Sequence, residues 1–179
     1  MKIVILTGSP RKNGNSARLV SAFAQEARAL CNEVKIFDTA FLKIDGCRHC
    51  EGCYKMGKPC VFDDDFNRVA VAIEQSDAVV FASPLYWSSF SAQLKACIDR
   101  FFCFYNGKKL SSKKFALLGT CQDSTENAFA GMLLVYKGVV SLLGGVHVGE
   151  VLVPRVYAMD DVEKTDGITR AKELAARFK

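Results

Sequence analysis

The first sixteen residues constrain the fold of this chain more than any other stretch. Residues 2–6 are apolar on both faces and rich in β-branched side chains, which predicts a strand buried in a parallel sheet. A loop of small and polar residues follows, and the pattern beyond it is helical, with Ser16 as the predicted N-cap. A buried parallel strand that leads directly into a helix indicates an α/β protein.

The same alternation of strand and helix continues along the chain. Five strands are predicted, at residues 2–6, 33–38, 77–82, 114–120 and 146–153. Helices are predicted at residues 16–30, 91–102, 127–143 and 162–178. One more is predicted between the first two of these, capped by the acidic triplet Asp63, Asp64 and Asp65 and running to about Gln75. This pattern predicts a doubly wound five-stranded parallel sheet of order 2-1-3-4-5, with a ligand crevice between the carboxyl ends of strands one and three.

The loop at residues 8–16, between the first strand and the first helix, can hold an anion. Small residues let the backbone approach closely, the helix start carries partial positive charge, and Arg11 adds a guanidinium. Asn15 follows Gly14 where a triphosphate-binding loop has Lys, and the three-glycine dinucleotide fingerprint is missing. The loop therefore suits a single phosphomonoester, the alternative being an ordinary strand-to-helix turn.

The loop after the third strand carries a rigid proline and two aromatic side chains. It comprises Pro84, Leu85, Tyr86 and Trp87. Such a loop suits a planar heterocycle, the alternative being that the aromatic rings pack locally or at a dimer contact. Because the predicted topology brings it next to the anion loop, the two together suggest a mononucleotide with a large flat ring, which fits FMN.

Three stretches together resemble the flavodoxin-like NAD(P)H-dependent FMN reductases, and within them the iron-sulfur flavoproteins. They are residues 8–16 (Gly-Ser-Pro-Arg-Lys-Asn-Gly-Asn-Ser), residues 83–87 (Ser-Pro-Leu-Tyr-Trp) and residues 92–100 (Ala-Gln-Leu-Lys-Ala-Cys-Ile-Asp-Arg). The resemblance extends from Met1 to about Gly119 and weakens beyond Cys121.

What the resemblance implies is a flavodoxin-like FMN oxidoreductase. The FMN phosphate would be held by Ser9, Arg11, Asn13, Asn15 and Ser16, and the isoalloxazine ring would lie beside Pro84, Leu85, Tyr86, Trp87, Gly119 and Thr120. Hydride from NADH or NADPH would pass to the flavin and its electrons onward to a small-molecule or protein acceptor, so no catalytic side chain is required. The family likeness also implies a homodimer or homotetramer. Residues 101–105 are a candidate contact surface, the alternative being a helix end buried in the monomer.

Four of the eight cysteines lie in one segment, residues 39–62, which is predicted to be irregular. Cys47, Cys50 and Cys53 form two successive Cys-x-x-Cys steps, and Cys60 follows seven residues later. This compact spacing can wrap one metal cluster, whereas structural zinc sites more often use two separate knuckles. It also resembles the motif with which iron-sulfur flavoproteins bind a [4Fe-4S] cluster. Zinc, and free or redox-paired thiols, are the alternatives.

Composition narrows the class of protein further. The 179 residues are predicted to form one FMN-binding domain, with residues 39–62 as a loop insertion. Lys and Arg exceed Asp and Glu by 24 to 19 without a basic run, which disfavours nucleic-acid binding. The net charge of +5 also disfavours a flavodoxin-type electron carrier, since such carriers are usually acidic; a flavin- or metal-responsive binding protein is a third interpretation. With no leader pattern and no apolar run of membrane length, we expect a cytoplasmic protein without membrane contact.

Overall fold

A computed structural model gives the fold and describes residues 1–105, 110–125 and 127–179. Five parallel strands form one sheet of order β2-β1-β3-β4-β5, which confirms the predicted topology. The strands are β1 (Lys2–Thr7), β2 (Glu33–Asp38), β3 (Ala78–Pro84), β4 (Lys114–Thr120) and β5 (Val146–Val153). Because β1 pairs with β2 on one side and with β3 on the other, the winding reverses there and opens a crevice at the carboxyl ends of β1 and β3.

Helices cover both faces of the sheet. They are α1 (Asn15–Ala29), α2 (Phe66–Glu74), α3 (Ala92–Asp99), α4 (Phe102–Tyr105), α5 (Ala130–Leu142) and α6 (Gly167–Ala175), with single 3₁₀ turns at Thr39–Phe41, Gly52–Tyr54 and Asp161–Lys164. One core layer packs α2, α3, α4 and α5 against the sheet, and the other packs α1 and α6 against its opposite face. Within the described ranges, no helix is both long enough and apolar enough to cross a bilayer.

Three helices are shorter than their apolar patterns predict. The predicted helix at residues 91–102 ends at Asp99 because Arg100 and Phe101 donate their N–H groups to carbonyls three residues back, which closes a tight turn before α4. The helix predicted at residues 127–143 begins at Ala130. The helix predicted at residues 162–178 is a 3₁₀ turn followed by α6. The apolar residue pattern therefore extends beyond the helix ends, which are set by local hydrogen bonds.

One predicted helix cap is wrong and the other is supplied by a single member of the acidic triplet. Ser16 lies inside α1, whose N-cap is Gly14, because the Ser16 hydroxyl bonds Thr120 Oγ1 at 2.7 Å and is not available to the helix start. At α2, Asp64 Oδ1 accepts from the Phe66 N–H at 3.1 Å and so caps the helix as predicted, whereas the carboxylate of Asp65 accepts from the Lys43 N–H instead. At Ser16 and at Asp65, a partner distant in sequence takes a side chain that the local pattern assigned to a cap.

The candidate contact surface at residues 101–105 is largely core. Phe101, Cys103 and Phe104 are buried in the monomer, and the Phe101 and Phe104 rings pack edge to face. Tyr105 is exposed and Phe102 half-buried. A helix end buried in the monomer therefore describes most of this stretch.

Candidate functional site

One cavity occupies the predicted crevice. It is lined by Ser9, Arg11, Gly14, Asn15, Ser16, Pro84, Leu85, Tyr86, Thr120, Cys121, Gln122, Val156 and Tyr157. Hydroxyl, amide and guanidinium groups come from the loop after β1, whereas the loop after β3 contributes a proline, a leucine and an aromatic ring. The cavity therefore has one end suited to an anion and another suited to a flat, largely apolar group.

An uncapped helix N-terminus and a guanidinium meet at the polar end of the crevice. No side chain caps α1, so its first-turn N–H groups remain available to an anion. Arg11 borders the same end, and its Nη1 donates one hydrogen bond to the carbonyl oxygen of Tyr157, at 3.3 Å. Ser9 Oγ bonds both the N–H and the carbonyl of Arg11 at 3.2 Å, which fixes the turn of the loop. This set of donors fits a phosphomonoester.

The loops after β1 and β3 are tied together by buried hydrogen bonds. Gly8 N–H donates to the Ala82 carbonyl at 2.9 Å, Ser91 Oγ donates to the Gly8 carbonyl at 2.7 Å, and Ser91 N–H donates to Ser83 Oγ at 3.0 Å. A Cβ on Gly8 would lie 2.3 Å from Ser91 Oγ and 2.6 Å from Leu94 Cβ, so the approach requires glycine. The two walls of the crevice are therefore held at a fixed separation.

The aromatic loop ends in a tight two-residue turn. Tyr86 and Ser89 exchange backbone hydrogen bonds of 2.9 and 3.0 Å, and Trp87 and Ser88 between them have φ values of 47° and 62°. This left-handed geometry is uncommon for residues other than glycine. Helix α5 supports the turn closely, since a Cβ on Gly131 would lie 2.4 Å from the Ser88 carbonyl oxygen. The turn leaves Trp87 fully exposed and keeps Tyr86 in the cavity wall.

Most of the residues predicted to bind FMN line the crevice, but three do not. Asn13 and Trp87 are exposed outside it, and Gly119 is buried behind the wall. A Cβ on Gly119 would lie 2.8 Å from Leu152 Cδ2 and 3.1 Å from the Phe129 ring, so packing alone accounts for glycine there. Roles for these three residues in binding FMN stay predictions.

The segment after β5 closes the polar end of the crevice and was missed by the sequence analysis. Asn15 Nδ2 donates to the Ala158 carbonyl at 2.9 Å, and its Oδ1 accepts from the Val162 N–H at 3.1 Å. These bonds hold Val156 and Tyr157 in the wall. These bonds hold the Asn15 amide against this segment, and they leave its backbone N–H and the second hydrogen of Nδ2 for an anion. No local motif marks residues 154–162, so only the fold reveals this contact.

Cys121 places a thiol in the wall near the apolar end. Its side chain is buried and its Sγ lies 3.4 Å from the Asp123 carbonyl oxygen. Burial raises the pKa of this thiol above its ordinary value, so it stays protonated at neutral pH. A protonated thiol is a poor nucleophile, and Cys121 therefore contributes packing to the crevice.

The four clustered cysteines border a second, smaller cavity, named here the thiol cavity. Cys47, Cys50, Cys53 and Cys60 line it together with Arg48, Glu51, Pro59, Phe62, Arg100, Phe102 and Cys103. Residues 47–60, the thiol segment, are attached to the framework at a few points. Tyr54 Oη donates to the Phe102 carbonyl at 3.0 Å, and the Cys60 N–H donates to Asn67 Oδ1 at 2.8 Å.

Exposure differs among the four thiols of this cavity. Cys47 and Cys50 are exposed, Cys53 is half-buried and Cys60 is buried. Burial raises the pKa of Cys53, a backbone hydrogen bond opposes this, and the three other thiols that line the cavity raise it further. Across the described residues, no three Cys, His, Asp or Glu side chains converge as one metal ion requires. The thiols thus share a cavity without being gathered around a single point.

Comparison with known proteins identifies relatives of the chain. Residues 1–156 match the family described as NADPH-dependent FMN reductase. An iron-sulfur flavoprotein of Archaeoglobus fulgidus is 33% identical over 139 residues, which cover 78% of this chain and 56% of that protein. Another iron-sulfur flavoprotein of A. fulgidus is 29% identical over 189 residues, covering 98% of this chain and 94% of its own. The chain spans about half the length of several curated relatives that it matches.

Solved structures share the fold at lower identity. An NAD(P)H:quinone oxidoreductase from Methanothermobacter marburgensis superposes with a TM-score of 0.82 at 19% identity, covering 100% of this chain and 96% of that one. The azoreductase AzrA gives a TM-score of 0.73 at 20% identity, covering 99% and 100%. At these identities the likeness establishes the fold alone.

Proposed function

The chain belongs to the NADPH-dependent FMN reductase family, and on this premise we propose that it is a cytoplasmic FMN-dependent oxidoreductase. It would take electrons from NAD(P)H and pass them through the flavin, by way of a [4Fe-4S] cluster, to an acceptor. The observation that carries the proposal is the crevice, where an uncapped helix N-terminus and Arg11 face an aromatic loop across the point at which the winding reverses. The iron-sulfur flavoproteins among its relatives support the cluster.

The residues of the crevice have separate roles toward FMN. The first-turn N–H groups of α1, with Arg11 and Ser9, would hold the phosphate. Pro84, Leu85 and Tyr86 would pack against the isoalloxazine ring and exclude water from one side. FMN, when bound, supplies the hydride chemistry and the onward release of electrons. The chain positions this cofactor, and we assign no catalytic acid, base or nucleophile.

The thiol cavity is the proposed site of the cluster. Cys47, Cys50, Cys53 and Cys60 would ligate it, since they border one cavity and since thiolates are the usual ligands of such clusters. In the described structure these four form no disulfide with one another. A [4Fe-4S] cluster, when bound, carries one electron at a time, which suits it to relay electrons away from a flavin.

Residues 1–179 would act as a single FMN-binding domain with the cysteine-bearing segment 39–62 inserted in it. We propose a homodimer or homotetramer, as implied by the family likeness. Trp87, fully exposed on a rigid turn beside the crevice, is the residue best placed to be covered by a second copy.

The test is an absorbance spectrum, with iron and zinc analysis, of protein purified without oxygen. We expect flavin bands, a broad iron-sulfur shoulder and about four irons per chain. Steady-state oxidation of NADH or NADPH then separates an enzyme from a flavodoxin-type carrier. Flavin without metal would remove the cluster and leave a plain FMN reductase, and failure to bind FMN would overturn the central proposal.

A matched pair of variants assigns the ligands. Cys50→Ala removes a thiol that borders the cavity, and Cys31→Ala removes an exposed thiol elsewhere on the surface. We expect Cys50→Ala to lose the iron and to keep the flavin, and Cys31→Ala to keep both. Equal loss of iron from the two variants would contradict the assignment.

A further inference from the structure

Arg100 forms a buried ion pair with Asp64 beside the thiol cavity. The two side chains are 1% and 6% exposed, and Nη1–Oδ2 and Nη2–Oδ1 distances of 2.9 and 3.2 Å join them. Rings of Phe62 and Phe66 lie 5.0 and 4.6 Å from the guanidinium carbon. Burying such a pair costs desolvation that a well-packed apolar pair avoids, so stability alone does not explain it.

The planar guanidinium of Arg100 has donors left over. It carries five N–H hydrogens, and its bonds to Asp64 and to the Asp45 carbonyl, the latter at 2.8 Å from Nη1, use three of them. The hydrogens on Nε and on the far side of Nη2 share the remaining edge of the group. Nε is buried, and in the described part of the chain it has no hydrogen-bond acceptor. A buried donor without an acceptor carries a desolvation cost unless something fills that place.

That place adjoins the thiol cavity. Arg100 lines this cavity together with the four clustered cysteines, of which Cys60 is the buried one. Burial alone lowers the pKa of Arg100, but hydrogen bonding with Asp64 and the proximity of Cys60 raise it above its ordinary value. Arg100 and Cys60 line the same small cavity, and Asp64 fixes the direction of the guanidinium.

We propose that Arg100, oriented by Asp64, donates its free edge to the Cys60 sulfur when that sulfur is a cluster ligand, and so sets the reduction potential of the cluster. This inference rests on the proposed cluster site. Arg100 is a positioning and tuning residue, since it acts through a ligand and does not itself receive electrons. Its donor set fits a thiolate-bound group, because hydrogen bonds to ligand sulfurs are a recognised control of cluster potential.

The ion pair of Arg100 and Asp64 predicts the direction in which each substitution should shift the reduction potential. Reduction adds one negative charge to the cluster, so N–H groups pointing at a ligand sulfur favour the reduced state, whereas the Asp64 carboxylate opposes it. Removing the donors should therefore lower the potential. Removing only the carboxylate charge should raise it. General damage to the site would not produce opposite shifts.

The experiment compares wild type with two variants of the whole protein, each reconstituted without oxygen with ferrous iron and sulfide. Asp64→Asn keeps the Arg100 donors and an acceptor oxygen. The double variant Arg100→Met with Asp64→Leu replaces the pair by apolar side chains, which buried pairs often tolerate. Arg68→Met is the control, because Arg68 forms an ion pair with Asp65 on the protein surface and does not border the thiol cavity.

The readout is an EPR-monitored reductive titration with iron content measured alongside. We expect the equilibrium constant for one-electron reduction to rise about tenfold in Asp64→Asn, a shift of about +59 mV, and to fall about tenfold in the double variant. Arg68→Met should match wild type. If the double variant does not fold or hold iron, the sign of the Asp64→Asn shift decides.

Other outcomes overturn the inference. Shifts in one direction, or none, in variants that hold iron like wild type would overturn the role of Arg100 and leave the cluster standing. Wild-type protein that takes up no iron would overturn the proposed cluster and this inference together, while the FMN crevice would be unaffected.

Discussion

The crevice and the thiol cavity are built in different ways. In the crevice, backbone groups from β1, β3 and β4 bond one another directly, and Gly8 and Gly131 allow approaches that a Cβ would block. The thiol segment has exposed thiols at Cys47 and Cys50 and left-handed backbone at His49 and Glu51. One site is part of the sheet, and the other is a surface segment attached by side chains.

The difference matters because one helix joins the two sites. Helix α3 follows Ser91, which bonds the crevice loop, and ends before Arg100, which borders the thiol cavity. A helical rise of about 1.5 Å per residue places these two positions about 13 Å apart. The crevice is therefore expected to tolerate changes in the thiol segment, whereas the thiol segment depends on the few framework residues that anchor it.

Asp64→Ala is the substitution expected to lower the free energy of unfolding most, through its effect beside the thiol cavity. It leaves the Arg100 guanidinium buried without its partner, and losses of about 3–5 kcal/mol are typical for such a broken pair. Urea unfolding measures the change. Arg68→Ala removes an exposed ion pair with Asp65 at the start of α2 and should cost under about 1 kcal/mol. Equal effects of the two substitutions would show that Arg100 relaxes into solvent and does not anchor the segment.

Gly8→Ala tests how the stability of the crevice depends on the close approach of its two loops. Its Cβ would meet Ser91 Oγ and Leu94 Cβ well inside contact distance, and overpacking of this kind costs about 1–3 kcal/mol. FMN affinity should fall with stability, because the loop carries the phosphate site. Gly46→Ala, placed just before the thiol segment with nothing within 4 Å of its Cβ, is the control and should leave both unchanged. A Gly8→Ala protein with wild-type affinity would separate the loop from the binding of FMN.

Sequence patterns predicted the framework better than the contacts between its parts. The bounds of β2, β4 and β5 agree with prediction to the residue, since alternating apolar and polar residues, or continuous apolar runs, mark buried strands in the local sequence. Both loops of the crevice were found because each follows a strand directly. The thiol spacing was also visible, because ligand spacing is a local property.

Tertiary contacts account for what the sequence did not reveal. Asp64 and Asp65 are adjacent and chemically identical, yet Asp64 is buried against Arg100 while Asp65 stays at the surface. Tyr157 enters the crevice wall because Asn15 holds the segment after it, a contact between residues more than a hundred positions apart. No local pattern encodes such pairings, so they emerge only once the sheet order is fixed.

Asp65→Asn is expected to have the smallest effect, and its pH dependence sharpens the comparison. The Lys43 N–H, at 2.7 Å from Oδ2, and the Arg68 guanidinium lower the pKa of Asp65 in the folded protein. A carboxyl whose folded pKa lies below its unfolded value of about 3.9 contributes stability above that pH and loses it as the pH falls through the folded pKa.

Wild type should therefore exceed Asp65→Asn by under about 1 kcal/mol at pH 7, and the gap should shrink as the pH falls below about 3.9, as followed by urea unfolding across that range. A gap that does not shrink as the pH falls would mean that the geometry of the Lys43 bond, rather than the charge of Asp65, holds the start of residues 39–62. The hydrogen bonds of Gly8 and Ser91 join neutral groups that do not titrate, so the crevice should keep these contacts over the same pH range. Acid would then weaken the attachment of the cysteine-bearing segment before it affects the crevice.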